Sequence, residues 1–237
     1  MDSKLAFVTG LLAVGVVGAG LIVFAMRTGS STSNLVARTV QYSFQGKTMT
    51  ASLMPTNADP LEGARFVSGS KDAPVTVVEF ADYQCPACSV FANDIEGLFR
   101  TVLVDSGKVR YAYRDYPLPS HSNAMQAARA AACANDQGQF QAMHQILYRG
   151  QNQWSASSNE QVLLQFKDYA GQTGLDARRF ELCQRSSKHD QEILRDRDAG
   201  NRIGLEATPT FVINGFRMAG VLPVEGFQAI INQVAGK

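Results

Sequence analysis

The sequence predicts an α/β fold, and three observations carry that prediction. The β-branched run PVTVVEFA (74–81) leads straight into a helix start bearing Cys85-Pro86-Ala87-Cys88. Helical pattern then fills about 85 residues, from Ser120 to about Ile203. Strand pattern returns in PTFVING and FRMAG before a closing helix, PVEGFQAIINQVAG.

Each element follows from local chemistry. Ahead of the fold, Leu5 to Met26 runs 22 residues without a charge, between Lys4 and Arg27. At about 1.5 Å per residue that length suits a transmembrane helix. No small-x-small cleavage site follows Met26, so a retained anchor (1–27) is expected rather than a cleaved signal. RTGSSTSN (27–34) reads as a polar tether. ARTVQYSF and GKTMTASLM alternate around a Gln45-Gly46 turn, which places a linker and hairpin in 28–66. KVRYAYRDYPL is a strand stopped at Pro117. In the helical block, HSNAMQAARAAACAND stops near Gly138, and QFQAMHQILYRG ends on a glycine. Ser157 and Glu160 have capping-box spacing before QVLLQFKDYAG. Asp176 can cap ARRFELCQRS, and HDQEILRDRDAGNRIG is a further helix.

Composition excludes some functions. Twenty-two basic and 21 acidic residues leave a net charge of +1, with no basic run to attract nucleic acid. The chain is 45% hydrophobic and 18% charged, an ordinary globular mix.

The chemistry centres on Cys85 and Cys88. The next residues, SVFANDIEGLFR, space Val90, Phe91, Ile95, Leu98 and Phe99 as the apolar stripe of a helix. Cys85 therefore stands at a helix N-terminus, where free amides and the helix dipole favour a thiolate. A lowered thiol pKa raises the fraction able to exchange with disulfides at neutral pH. Pro86 suits the first turn because its missing N–H costs nothing there. Cys88 lies one turn along, within bonding reach. A thiol–disulfide couple is what this arrangement favours.

VEFADYQCPAC together with ATPTFVING resembles the DsbA-like branch of the thioredoxin superfamily, from about Asp72 to Val234. The resemblance implies a thioredoxin fold in 67–237, with an inserted helical domain at about 120–203. It implies Cys85 as the nucleophile and Cys88 as the resolving cysteine. Glu79 matches the family's buried acidic residue, which helps move protons beneath the couple. Pro209 matches the cis-proline loop, and Thr208 the residue whose backbone pairs with bound substrate. Ala87 departs from the pattern: the strongly oxidising prototype has a histidine there, so one source of thiolate stabilisation is missing.

Other residues have plainer readings. Glu79 read by itself is also compatible with an edge position facing water. His121, His144 and His189 are scattered over the helical block and are assigned no catalysis. Trp154 is expected to pack between helices, and Asp94 and Glu96 to lie on a solvated helix face. In an exported domain, Cys133 and Cys183 are most simply a structural disulfide, which would stabilise the block by about 4 kcal/mol. Two buried free thiols, or an electron relay with Cys85 and Cys88, are the alternatives. An all-thiolate zinc site is the competing chemistry, but structural zinc sites combine two close pairs, whereas Cys133 and Cys183 are far apart in sequence. A binding or chaperone module without redox turnover is a further alternative.

The expected function is thus thiol–disulfide exchange, with donation of disulfides to exported cysteine-containing proteins preferred over reduction or isomerisation. A membrane or soluble redox partner would reoxidise the pair. No cofactor or metal is implied. The expected location is the bacterial cytoplasmic membrane, single-pass, with the catalytic domain on the extracytoplasmic side; secretion after signal cleavage is the alternative.

Overall fold

The computed structural model describes residues 37–56 and 61–235. The apolar stretch Leu5 to Met26 and the tether after it lie outside the described residues.

Seven strands form one sheet: β1 (Arg38–Phe44), β2 (Lys47–Pro55), β3 (Phe66–Ser68), β4 (Val75–Ala81), β5 (Val109–Asp115), β6 (Thr210–Ile213) and β7 (Phe216–Ala219). Their order is β1-β2-β7-β6-β4-β5-β3. Only the β4–β5 pairing is parallel among these neighbours. Gln45 and Gly46 turn β1 into β2, and Asn214 and Gly215 turn β6 into β7. All four residues have positive φ, which gives a two-residue hairpin turn the twist its strands need. The short edge strand β3 carries no signal in the sequence, because three residues show no alternation.

β4 pairs along both edges, with β5 and β6, and its side chains enter cores on both faces, Val75 and Val77 on one and Val78 and Phe80 on the other. That is why VTVVEFA reads as a continuous apolar run rather than an alternating one. The parallel step from β4 to β5 needs a crossover. It is supplied by a helical run over 86–104: α1 (Pro86–Val90), α2 (Glu96–Phe99), and π-type turns at Phe91–Ile95 and Arg100–Val104. This run and α9 (Val224–Ala235) cover one sheet face, packing Phe91, Phe99 and Phe227 against Phe211 of β6. The Phe211 and Phe227 rings meet edge-on at 4.9 Å.

The first π-type turn changes which residues are buried. Glu96 N–H bonds Phe91 O, one residue beyond the α-helical partner. The extra residue rotates the following turn by about 100° relative to a regular helix. Glu96 is thereby carried inside, whereas Leu98 is 57% exposed. The expected solvated position of Glu96 is corrected for this reason; Asp94 is exposed.

The helices α3 (Ala124–Asn135), α4 (Phe140–Arg149), α5 (Gln151–Trp154), α6 (Asn159–Gln172), α7 (Ala177–Ser186) and α8 (Asp190–Arg202) form the helical insertion between β5 and β6. Alanine at 127, 130, 131 and 134 lets neighbours approach α3 closely on several sides. Asp176 Oδ1 caps α7 by accepting from the amides of Arg178 and Arg179. The capping box of α6 uses Ser158 and Gln161, one residue later than the spacing suggests. Ser157 Oγ instead donates to Gln153 O at 3.2 Å. Trp154 is buried and donates to Leu147 O. Arg65 and Arg114 both pair with buried Asp196 of α8, which fastens the insertion to the sheet.

Among the described residues, no helix is long and apolar enough to cross a membrane. The helical run 86–104 carries Asp94, Glu96 and Arg100, and α6 has 14 residues against the roughly 20 a span requires.

Candidate functional site

β4 delivers the chain to the site, and a buried carboxylate shapes the turn that follows. Asp82 Oδ1 accepts from Gln84 N–H at 2.7 Å, and Oδ2 from Leu118 N–H at 2.8 Å. His121 Nδ1 lies 2.7 Å from the same oxygen. The turn leaves Cys85 in extended backbone (φ −74°, ψ 124°) as the N-cap of α1, with Pro86 next. No side chain caps this helix end, so its free amides are left to the sulfur.

The two sulfurs are unbonded and differ sharply in acidity. The Cys88 thiol, donating to Cys85, does most to hold the Cys85 thiol down to about 5. Burial opposes this, while Thr208 and the amides of Cys88 and Ala87 assist. Cys88 has no exposed surface, and burial, reinforced by the Cys85 sulfur and Glu79, pushes it well above the usual thiol range. Cys85 keeps 7% of its surface open. Its Sγ lies 3.4 Å from Thr208 O, and the Thr208–Pro209 bond is cis. Pro209 leads directly into β6, and the carbonyl preceding it lies against the Cys85 sulfur.

Glu79 occupies the centre of β4, opposite Tyr113 of β5 and Phe211 of β6, and is 1% exposed. It is not an edge residue. Tyr111 donates a short hydrogen bond to Glu79 Oε2. Burial, with repulsion from Glu96, raises Glu79 to about 8 against the pull of Tyr111 and Arg100. Glu79 is therefore largely protonated near neutrality and can both accept and release a proton there.

The sequence did not announce the groups around Glu79. Glu96 Oε1 accepts from Arg100 Nε at 2.6 Å, and Oε2 lies 3.1 Å from His144 Nε2. Burial works against ionising Glu96, but His144 and Arg100 outweigh it and hold the group down to about 2. His144 Nδ1 meets Tyr83 OH at 3.0 Å, and the Tyr83 ring lies tilted against those of Tyr113 and Tyr148. A phase-shifting π-type turn leaves no signature in one sequence, so Glu96 could not be assigned inward.

The helical insertion also reaches the site. Gln151 of α5 donates to Tyr83 O at 2.7 Å and Cys85 O at 3.0 Å. Asn123 N–H bonds Gln84 Oε1, and Asn123 Nδ2 donates to the carbonyls of Trp154, Ser155 and Ser157. These amides tie the cysteine-bearing turn to α5. Away from this pair, a disulfide joins Cys133 of α3 to Cys183 of α7, with Cα atoms 5.8 Å apart.

Comparison with known proteins adds the lineage. The family profile described as Thioredoxin matches residues 62–233. A thioredoxin-like oxidoreductase from Silicibacter pomeroyi is 28% identical, with a TM-score of 0.61, covering 77% of this chain and 99% of that one. Oxidised BdbD from Bacillus subtilis shares the fold at 23% identity and a TM-score of 0.65, covering 78% and 99%. A curated relative named Na(+)/H(+) antiporter NhaA 3, from Salinispora tropica, is 37% identical over 166 residues, 70% of this chain. The chain spans only 24% of that relative's length. The similarity to antiporters, with no spanning helix among the described residues, overturns the single-pass, extracytoplasmic location expected from the sequence.

Proposed function

The chain belongs to the thioredoxin family, is a protein thiol–disulfide oxidoreductase with a DsbA-like fold, and, we propose, works as a disulfide donor to cysteine-containing proteins through Cys85 and Cys88. The observation that carries the direction is the unequal pair at the start of α1, with Cys85 held down to about 5 and Cys88 pushed up. Stabilising a thiolate stabilises the reduced protein, so the disulfide form becomes the better oxidant.

In this reading, a substrate thiolate attacks Cys85 Sγ of the Cys85–Cys88 disulfide. A substrate–Cys85 bond forms as the Cys85–Cys88 bond breaks, and Cys88 leaves with the electron pair. Cys88, with its raised pKa, takes up a proton, and Glu79 in its protonated form is a nearby donor. A second substrate thiolate then attacks the substrate sulfur of the mixed disulfide and expels Cys85, whose low pKa makes it a good leaving group. The substrate is oxidised by two electrons, and the protein holds them as a Cys85 thiolate and a Cys88 thiol. In this reading an extended substrate strand pairs with the backbone of Thr208, whose carbonyl lies beside Cys85 Sγ. Cysteine-containing proteins that mature with disulfides are the client class, and a separate redox partner reoxidises the pair.

Equilibration with glutathione tests the direction. A donor should have a potential above about −200 mV, and Ala87 in the CxxC argues for a value below the about −120 mV of DsbA. A potential at or below about −250 mV, in the range of thioredoxin, would make the protein a reductant instead.

A further inference from the structure

The second cysteine pair has a neighbour that its sequence positions do not suggest. Among the described residues, Cys133 Sγ, Cys183 Sγ and an imidazole nitrogen of His189 all lie within 4.8 Å of one another. His189 precedes α8, whereas the cysteines belong to α3 and α7. Asp136 closes the group: its Oδ2 is 2.9 Å from His189 Nε2 and 3.7 Å from Cys183 Sγ. On the far side of the ring, His189 Nδ1 faces Glu192 Oε2 at 2.8 Å. We propose that reduction of the Cys133–Cys183 disulfide turns this cluster into a zinc site, with Cys133, Cys183, His189 Nε2 and Asp136 as its four ligands.

The donor set fits the metal. Two thiolates and an imidazole suit a borderline-soft divalent cation, and a carboxylate completes a tetrahedron. Zn–S bonds of about 2.3 Å and Zn–N bonds of about 2.0–2.1 Å require sulfur–sulfur and sulfur–nitrogen separations of roughly 3.5–3.8 Å. Once the S–S bond is cut, non-bonded sulfurs part to about that distance, and the nitrogen, within 4.8 Å of both sulfurs, needs only a small shift to join them. Glu192 supplies the outer carboxylate that zinc-binding histidines use: by accepting from Nδ1–H, it leaves the Nε2 lone pair for the metal. Lys188 Nζ, 2.7 Å from Asp136 Oδ2, offsets part of the negative charge two thiolates and a carboxylate would bring. With the disulfide intact, neither sulfur is a thiolate and the set is incomplete. The site is therefore gated by redox state.

The conversion balances. A dithiol reductant gives two electrons and two protons to the Cys133–Cys183 bond and leaves as its own disulfide. Zn²⁺ then displaces the two thiol protons into solvent and forms two Zn–S bonds. This inference stands apart from the donor role of Cys85 and Cys88, and those two residues are replaced by serine in the test so that they contribute no ligand.

The full chain carrying Cys85→Ser and Cys88→Ser is reduced with dithiothreitol, freed of reductant under argon, and titrated with Co²⁺ and then Zn²⁺. The expected result is one Co²⁺ per chain, with thiolate-to-cobalt absorption in the near ultraviolet and intense tetrahedral bands in the visible, all abolished by Zn²⁺. The oxidised chain should bind none. Adding His189→Ala should weaken Zn²⁺ binding more than about tenfold, and Glu192→Gln by about 10- to 100-fold. Zn²⁺ should also raise the melting temperature of the reduced chain, and less so with His189→Ala. A folded, reduced chain without cobalt–thiolate absorption overturns the proposal. So does undiminished affinity with His189→Ala, or a reduced chain that is unfolded and that Zn²⁺ does not refold.

Discussion

Replacing Cys88 with alanine tests the origin of the Cys85 acidity. The Cys88 thiol does most to lower the Cys85 pKa, with Thr208 and the amides of Ala87 and Cys88 adding to it and burial opposing. Cys88→Ala removes the thiol donor but leaves the helix start and the Thr208 loop in place. A hydrogen bond to a charged group is worth about 1.5–3 kcal/mol, and each pH unit in a pKa corresponds to about 1.4 kcal/mol. The midpoint for Cys85 alkylation by iodoacetamide should therefore rise from about 5 to roughly 6–7. Cys88→Ser, which keeps a donor, should rise less. The assay is the pH dependence of the alkylation rate, read by mass on the reduced protein, with thiolate absorbance near 240 nm as a second readout. An unmoved midpoint in Cys88→Ala would show that the backbone amides alone hold the thiolate. A midpoint at the ordinary thiol value would show that the helix start contributes nothing. Either outcome refutes the division of labour derived from the geometry.

Three further outcomes are expected. Glu96→Gln leaves half-buried Arg100 and buried His144 without their carboxylate, so stability should fall by about 3 kcal/mol in urea unfolding, and Glu79 should titrate below about 8 by NMR once the neighbouring charge is gone. The stability gap between reduced and oxidised protein should narrow as pH falls from about 9 to about 5. The Cys85 thiol has a folded pKa depressed to about 5, so its contribution is present above the ordinary value of 9.0 and is lost as pH falls toward the folded value. Urea titrations at several pH values measure that gap, and a gap independent of pH would contradict a depressed Cys85. Cys133→Ala with Cys183→Ala opens a loop of sequence separation 50, so unfolding free energy should drop by about 4 kcal/mol, with thiol exchange at Cys85 retained.

The local features were legible in the sequence because neighbours along the chain decide them. The β-branched run before Cys85, proline at the first turn, the Asp176 cap and the alanine-rich α3 each state their conformation within a few residues. The helical block between strands was readable for the same reason, and with ATPTFVING it exposed the family resemblance. What the tertiary structure alone decided lies in contacts between distant segments and in shifts of phase. β3 exists only because β5 offers it an edge, and Glu79 is taken off the sheet edge because β6 returns from more than 130 residues away to pair with β4. Glu96 looked solvated by helical spacing; one π-type turn rotated it inward onto His144, and a single extra residue in a turn leaves no compositional trace. Gln151 and Asn123 are unremarkable polar residues until the insertion folds back onto the cysteine turn. His189 meets Cys133 and Cys183 only when α3, α7 and the start of α8 pack together. Periodicity and motif spacing describe how a segment presents its side chains to the chain nearby. Which distant charge or sulfur those side chains meet is set by packing, where burial turns a carboxylate into a proton carrier or a thiol into a thiolate.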